Sequence, residues 1–130
     1  MHKYAVTLTP RFYETDAMGH INNATITAWF EVARVGFLDQ LAGKDIALTR
    51  SWILASVQID FKSETFFGAD VDIHITDASI GNTSLAVHCE MYQGGRLTVQ
   101  GKAVVVFIDF DSKQPQRIPD SMREKLRSLG

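Results

Sequence analysis

The chain has 130 residues, the length of one compact domain, so we expect residues 1–130 to form a single unit without a second catalytic domain. Its composition, 45% hydrophobic and 22% charged residues, is ordinary for a globular protein. Thirteen basic against fifteen acidic side chains give a formal net charge of −2, which excludes a global positive field, and we expect no nucleic-acid partner.

The first predicted element is a strand. From Lys3 to Phe12 apolar and polar residues alternate, as they do in a half-buried strand. The stretch from Tyr13 to Asn23 that follows is polar and contains Gly19, so it predicts a loop.

A long helix is predicted from Ala24 to about Ala42. Asn22 or Asn23 is suited to cap its start, and Gly43 to end it in the left-handed conformation. Further apolar residues widen the buried face, and only Thr27, Glu31 and Arg34 form a polar stripe, so we expect protein on nearly all sides of this helix. The core-facing residues, spaced by three or four, are Ile26, Phe30, Ala33, Phe37 and Leu41.

From Trp52 onward the apolar period changes to two, which predicts four strands. Gly94-Gly95 marks a hairpin before the last strand, Leu97–Asp109. Ser121 and Glu124 have capping-box spacing at the start of a short terminal helix. The core-facing positions predicted in the first three strands are Ile53, Ala55, Val57, Ile59 and Phe61, then Val71, Ile73 and Ile75, then Leu85, Val87, Cys89 and Met91.

The order strand, long helix, four strands, short helix predicts an α+β fold in which the helix packs against one curved antiparallel sheet. Open sheets leave edge strands that invite pairing between chains, so we expect a homodimer with the sheet continuing across its interface.

Cellular location is predicted from what the chain lacks. The one cysteine, Cys89, has no intrachain partner, and the N-terminus has no signal-peptide run. The longest apolar stretch, Ala103–Ile108, is far shorter than the roughly 20 residues that span a bilayer. We therefore expect a cytoplasmic protein without a membrane partner.

Several familiar kinds of site are absent from the sequence. It contains no GxGxxG or GxxxxGK[ST] phosphate loop and no GxSxG motif. The His88-Cys89-Glu90 stretch lacks the downstream CxxC pair of zinc deaminases, so we predict no metal site there and interpret Cys89 as a packed thiol.

The loop before the long helix holds the densest set of reactive groups. Asp16 lies seven residues before Asn23, and a carboxylate beside a helix N-terminus can act as nucleophile or general base while the free N–H groups polarise a carbonyl. His20 and Asn23 can orient either partner. The same residue types also fill structural roles, Asp16 and Gly19 in a turn and Asn22 and Asn23 in a cap.

Arg11-Phe-Tyr-Glu-Thr-Asp16-Ala-Met-Gly19-His20-Ile-Asn22-Asn23, followed by Trp29-Phe-Glu31-Val-Ala-Arg34, resembles the hotdog-fold acyl-CoA thioesterases of the 4-hydroxybenzoyl-CoA thioesterase-like group. The resemblance extends through Ile59-Asp-Phe61, Phe67-Gly68-Ala-Asp70-Val and Ile80-Gly81-Asn-Thr-Ser84. It implies a hotdog fold and hydrolysis of an acyl-CoA without a cofactor, by a homodimer or homotetramer.

The resemblance also assigns residues. It makes Asp16 the catalytic carboxylate, as nucleophile or base, and Asn23 the source of the N–H that polarises the thioester carbonyl. His20 joins them as a catalytic candidate. Gly19, Asn22 and Ser84 are the substrate-binding candidates.

Two other functions stay open. A hotdog dehydratase would need a His and an acidic partner, for which His20 and Glu31 are the only plausible pair in the sequence; Glu31 is otherwise expected to pair with Arg34. A non-catalytic acyl-CoA-binding protein is the second.

Overall fold

The computed structural model describes residues 3–43 and 45–129. One five-stranded antiparallel sheet has the strand order β1-β3-β4-β5-β2. A long helix, α1, packs on one face of this sheet, as predicted. The elements are β1 (Tyr4–Leu8), a 3-10 helix (Phe12–Glu14), α1 (Asn23–Ala42), α2 (Ile46–Thr49), β2 (Trp52–Phe61), β3 (Val71–Ile80), β4 (Ser84–Gln93), β5 (Arg96–Phe107) and α3 (Asp120–Leu129).

The core forms between α1 and the sheet. All five predicted core residues of α1 are buried, as are the predicted inward residues of β3 and β4. Phe30 lies over Gly101 of β5, where a Cβ would come within 3.4 Å of its ring, so the glycine permits the close approach of helix and sheet. Cys89 faces this core and His88 the opposite face, confirming the interpretation of Cys89 as a packed thiol.

The prediction for β2 is wrong in its first half because a β-bulge lies between Leu54 and Ser56. Residues directly opposite each other in an antiparallel pair share a face, and the bulge adds one unpaired residue, which reverses the alternation. Trp52 and Leu54 therefore share the face of Val57, whereas Ile53 points the other way.

Three other boundaries differ from the prediction. β1 ends at Leu8, because Pro10 has no N–H for a ladder and Arg11 begins the 3-10 turn by donating its N–H to Glu14 Oε1 (2.6 Å). The helix α2 was not predicted; the side chain of Asp45 caps it. Ser121 does not cap α3, which begins one residue earlier after Pro119.

Both predicted ends of α1 are confirmed. Asn22 caps the start, and Gly43 at φ +63° ends the helix. The prediction that protein lies on nearly all sides of α1 is wrong within one protomer, because Val32 and Val35 of this helix are 49% and 45% exposed. Arg34 was assigned to the polar stripe, yet it is buried. No helix within the described ranges combines the length and apolar character needed to cross a bilayer.

Candidate active site

The loop between the 3-10 helix and α1 folds around the carboxylate of Asp16 and donates hydrogen bonds to it. Its Oδ1 accepts hydrogen bonds from the N–H groups of Met18 (2.8 Å) and His20 (3.1 Å). The Asp16 N–H donates to the His20 carbonyl (2.7 Å), and Gly19 reaches φ +77° to complete the turn. Asp16 is exposed, and its Oδ2 accepts no hydrogen bond from the described residues, so one carboxylate oxygen holds the loop and the other is available for chemistry.

The start of α1 leaves an N–H group free beside this loop. Asn22 Oδ1 accepts the Ala24 N–H (2.8 Å), and the Asn22 carbonyl accepts that of Ile26 (3.1 Å). First-turn N–H groups have no partner inside their own helix, and that of Asn23 has no acceptor in the part of the chain that the structure describes. This N–H carries the partial positive charge of the helix end.

A second segment, residues 62–70 between β2 and β3, braces the Asp16 loop through its backbone. The Ile21 N–H donates to the Thr65 carbonyl (2.8 Å), and the Phe67 N–H donates to the Gly19 carbonyl (3.3 Å). We call residues 62–70 the bracing segment. The bracing segment, which is distant in sequence from the Asp16 loop, thus helps to fix the conformation of that loop.

His20 contacts the bracing segment with its side chain. Its Nε2 lies 3.4 Å from Glu64 Oε2, and its ring meets Phe66 edge-on at a centroid distance of 5.0 Å. Glu31, its partner in the dehydratase interpretation, instead pairs with Arg34 (3.8 Å), which confirms the expected ion pair. The sequence gives no local signal for Glu64, because its proximity arises only when the two segments meet.

A cleft of about 330 Å³ lies where these parts converge. It brings together Asp16, His20 and Asn23, the three catalytic candidates. Gly19 and Asn22 are not in its wall; they shape the loop and the cap beside it. The wall is formed by Asp16, His20, Ile21, Asn23, Ile26, Phe61, Ser63, Glu64 and Thr65.

Ser84 lies at the other end of the sheet. It begins β4, whereas Gln93 ends that strand beside the bracing segment, and a ten-residue strand is about 30 Å long. A single protomer does not bring Ser84 to the cleft. Its role in substrate binding stays a prediction without support from this geometry.

The cleft has the parts needed for acyl transfer from a thioester. A carbonyl oxygen placed at the start of α1 would accept the Asn23 N–H, which stabilises negative charge as it develops. A carboxylate oxygen without a hydrogen-bond donor among the described residues, such as Asp16 Oδ2, has the chemistry of a base for water or of a nucleophile.

Comparison with known proteins shows the family of the chain. The sequence profile of the thioesterase-like superfamily matches residues 10–126. A curated relative, the uncharacterized protein YsmA of Bacillus subtilis strain 168, is 28% identical over 120 residues, covering 89% of this chain and 80% of the relative.

Two solved structures share the fold. A predicted thioesterase from Bacillus stearothermophilus has a TM-score of 0.89 and 33% identity over 97% of this chain and 95% of its own. A thioesterase from Thermus thermophilus, solved with coenzyme A and Zn, has a TM-score of 0.88 and 23% identity over 98% and 94%. The sheet wrapped around α1 is therefore the hotdog fold.

Proposed function

The chain belongs to the thioesterase-like superfamily and is a thioester hydrolase, and from this premise we propose that it cleaves acyl-CoA to a free acid and coenzyme A. The observation that carries the proposal is the convergence of Asp16 and Asn23 in one cleft. The choice of coenzyme A as the leaving group is supported by the Thermus thermophilus thioesterase, which has the same fold and was solved with coenzyme A.

The proposed reaction uses Asn23 and Asp16 for different purposes. The Asn23 N–H donates to the thioester carbonyl oxygen and stabilises its negative charge when the carbon becomes tetrahedral. Asp16 Oδ2 either takes a proton from the attacking water or attacks the carbon itself to form an anhydride that water then hydrolyses. In both cases the carbon–sulfur bond breaks and coenzyme A leaves as its thiolate. When Asp16 is the base, the proton that it took from the attacking water passes on to this thiolate; when Asp16 is the nucleophile, the water that hydrolyses the anhydride supplies that proton.

His20 is proposed to assist by its position. Its backbone both donates to and accepts from Asp16, so any movement of His20 moves the carboxylate. Its side chain reaches toward Glu64 at the cleft wall, where the pair is placed to orient the attacking water.

Thiol release from short, medium, long and aromatic acyl-CoAs tests the proposal. In Asp16→Asn the amide oxygen still accepts the Met18 and His20 N–H groups, so the loop is retained while the base is lost. We expect kcat to fall about 100-fold or more. Asp111→Asn makes the same charge change on an exposed loop outside the cleft and should leave kcat unchanged.

Equal rates for wild type and Asp16→Asn would contradict the assignment. A wild type that binds acyl-CoA but releases no thiol would favour the non-catalytic binding function instead.

We also propose that two copies pair through β2. This ten-residue strand is at the sheet edge, and four of its apolar side chains are 45–48% exposed. Leu54 and the exposed Val35 of α1 line one cavity of about 220 Å³, so the apolar surfaces of strand and helix are continuous. Such a surface on an unpaired edge is typical of an interface between chains.

The mass in solution measured by light scattering tests the pairing. Wild type should have the mass of a dimer, or of a tetramer of paired dimers. Val57→Lys places a charge on the exposed edge strand and should produce monomer, whereas Ile46→Lys, at the 66% exposed first residue of α2, should not. Monomeric wild type would contradict the proposal.

A further inference from the structure

Gln93 is a polar residue at a core position. It ends β4 and continues the inward alternation of Val87, Cys89 and Met91, and only 7% of it is exposed. A buried amide has to satisfy its hydrogen bonds within the protein. The partners of Gln93 therefore indicate what the residue holds in place.

All the hydrogen bonds of the Gln93 side chain go to the backbone of the bracing segment. Its Oε1 accepts the Phe66 N–H (2.9 Å), and its Nε2 donates to the carbonyls of Phe66 (2.7 Å) and Ala69 (2.9 Å). One side chain thus satisfies both polar groups of the Phe66 residue and reaches three residues further along the chain.

These contacts replace a sheet ladder that the segment does not have. Residues 62–70 contain no regular strand or helix, so no repeating backbone pattern fixes their position relative to β4. The amide of Gln93 bonds to both the N–H and the carbonyl of Phe66, as a neighbouring strand would. On its other side, the same segment holds the Asp16 loop through the backbone of Thr65 and Phe67.

The hydrogen bonds form a continuous connection from the core to the cleft. Gln93 fixes Phe66, and the next residue, Phe67, donates its N–H to Gly19. Gly19 belongs to the turn whose N–H groups hold Asp16 Oδ1. A displacement of the bracing segment therefore changes where the carboxylate lies.

We propose that Gln93 is a positioning residue for the thioesterase site, acting through the bracing segment to hold Asp16 in place. The inference rests on the proposed function for its kinetic consequence, and not for its structural one. The Gln93 side chain makes no hydrogen bond to the Asp16 loop, so its effect passes through the backbone of residues 66–69.

Gln93→Met tests this inference, because methionine has a similar volume and makes none of the three hydrogen bonds. We expect kcat to fall about 10-fold to 100-fold because the carboxylate is misplaced. KM should change less than kcat, because Asn23, Ile26 and Phe61 of the cleft wall lie outside the bracing segment. Gln100→Met is the matched control: the same substitution on β5, where the amide contacts Glu90 and not the bracing segment.

Gln93→Glu supplies a second variant with a pH signature. When the introduced carboxyl group is neutral, it can accept the Phe66 N–H and donate its proton to one of the two carbonyls. When it is ionised, it has no proton to donate, and it repels the oxygens of both carbonyls. The ratio of the kcat of this variant to that of wild type should rise as the pH is lowered, while the ratio for Gln93→Met stays flat. A flat ratio for both variants would overturn the positioning role.

Hydrogen exchange of the Ile21 and Phe67 amides separates this inference from the proposed function, because it needs no substrate. Both amides should exchange at least about 10-fold faster in Gln93→Met than in wild type or Gln100→Met at equal global stability. Unchanged exchange overturns the inference even if the protein is a thioesterase. Faster exchange supports the structural link even if the enzyme cleaves no acyl-CoA, in which case only the proposed function fails.

Discussion

Gly36, in the middle of α1, lies against Tyr4 of β1, and we predict that Gly36→Ala destabilises the protein. A Cβ at this position would overlap the Tyr4 hydroxyl and lie 2.9 Å from Cζ and 3.1 Å from Cε2. The half-buried ring packs on the core with its centroid 6.3 Å from that of Phe37, so a ring that turns away from α1 loses part of this contact.

Two opposing effects decide the magnitude. Replacing glycine by alanine inside a helix stabilises it by about 1 kcal/mol. Forcing an extra carbon into a filled contact costs about 1–3 kcal/mol. The overlap with Tyr4 makes the second effect the larger, so the free energy of unfolding should fall by up to about 2 kcal/mol. In a Tyr4→Val background, where the ring is absent, the same substitution should stabilise the protein by about 1 kcal/mol.

Urea denaturation of the four proteins at one protomer concentration measures this double-mutant cycle. The coupling energy should be about 1–3 kcal/mol, with equal m-values throughout. A higher midpoint for Gly36→Ala in the wild-type background, or the same shift in both backgrounds, would refute the reasoning.

Three further predictions concern the cap, the thiol and a surface ion pair. Asn22→Ala should lower the free energy of unfolding by about 1 kcal/mol, whereas Asn22→Asp should preserve stability but lower kcat, since its charge opposes the oxyanion. Burial raises the pKa of Cys89 to about 12 against the opposing effect of Arg34, so the thiol should react with Ellman's reagent at pH 8 only after unfolding. The Arg117 side chain lowers the pKa of Asp120 below its ordinary 3.8, so Arg117→Gln should be less stable above that pH.

Each of these has a clear contrary result. Equal kcat for Asn22→Asp and wild type in the thiol-release assay would argue against an oxyanion at the start of α1. Rapid labelling of folded Cys89 would mean that it is not packed in the core. A depressed carboxyl pKa contributes stability that is lost as the pH falls through its folded value. The urea midpoints of Arg117→Gln and wild type must therefore converge on acidification, and a constant difference would contradict the ion pair as its cause.

Local sequence patterns predicted most of the elements but not their irregularities. The buried residues predicted from the alternation in β3 and β4 and from the helical spacing in α1 are buried in the structure. The prediction works there because the buried face keeps one period along the whole element. Ala55 shows the limit: its place in the alternation reverses where β2 bulges, and a bulge depends on pairing with β5. Ser121 has the spacing of a cap, yet α3 begins at Asp120, and the Pro119 carbonyl accepts the N–H groups of Met122 and Arg123.

What the sequence by itself determined is the chemistry available beside α1: a carboxylate at Asp16, a glycine turn and an Asn22 cap, all within one short stretch where local rules operate. What only the tertiary structure decided is how that chemistry is held. Glu64 and Gln93 lie more than forty residues away in sequence, and hydrogen bonds between distant segments have no local signature. Side-chain identity is local, but the position of a reacting atom depends on every backbone contact that fixes its loop.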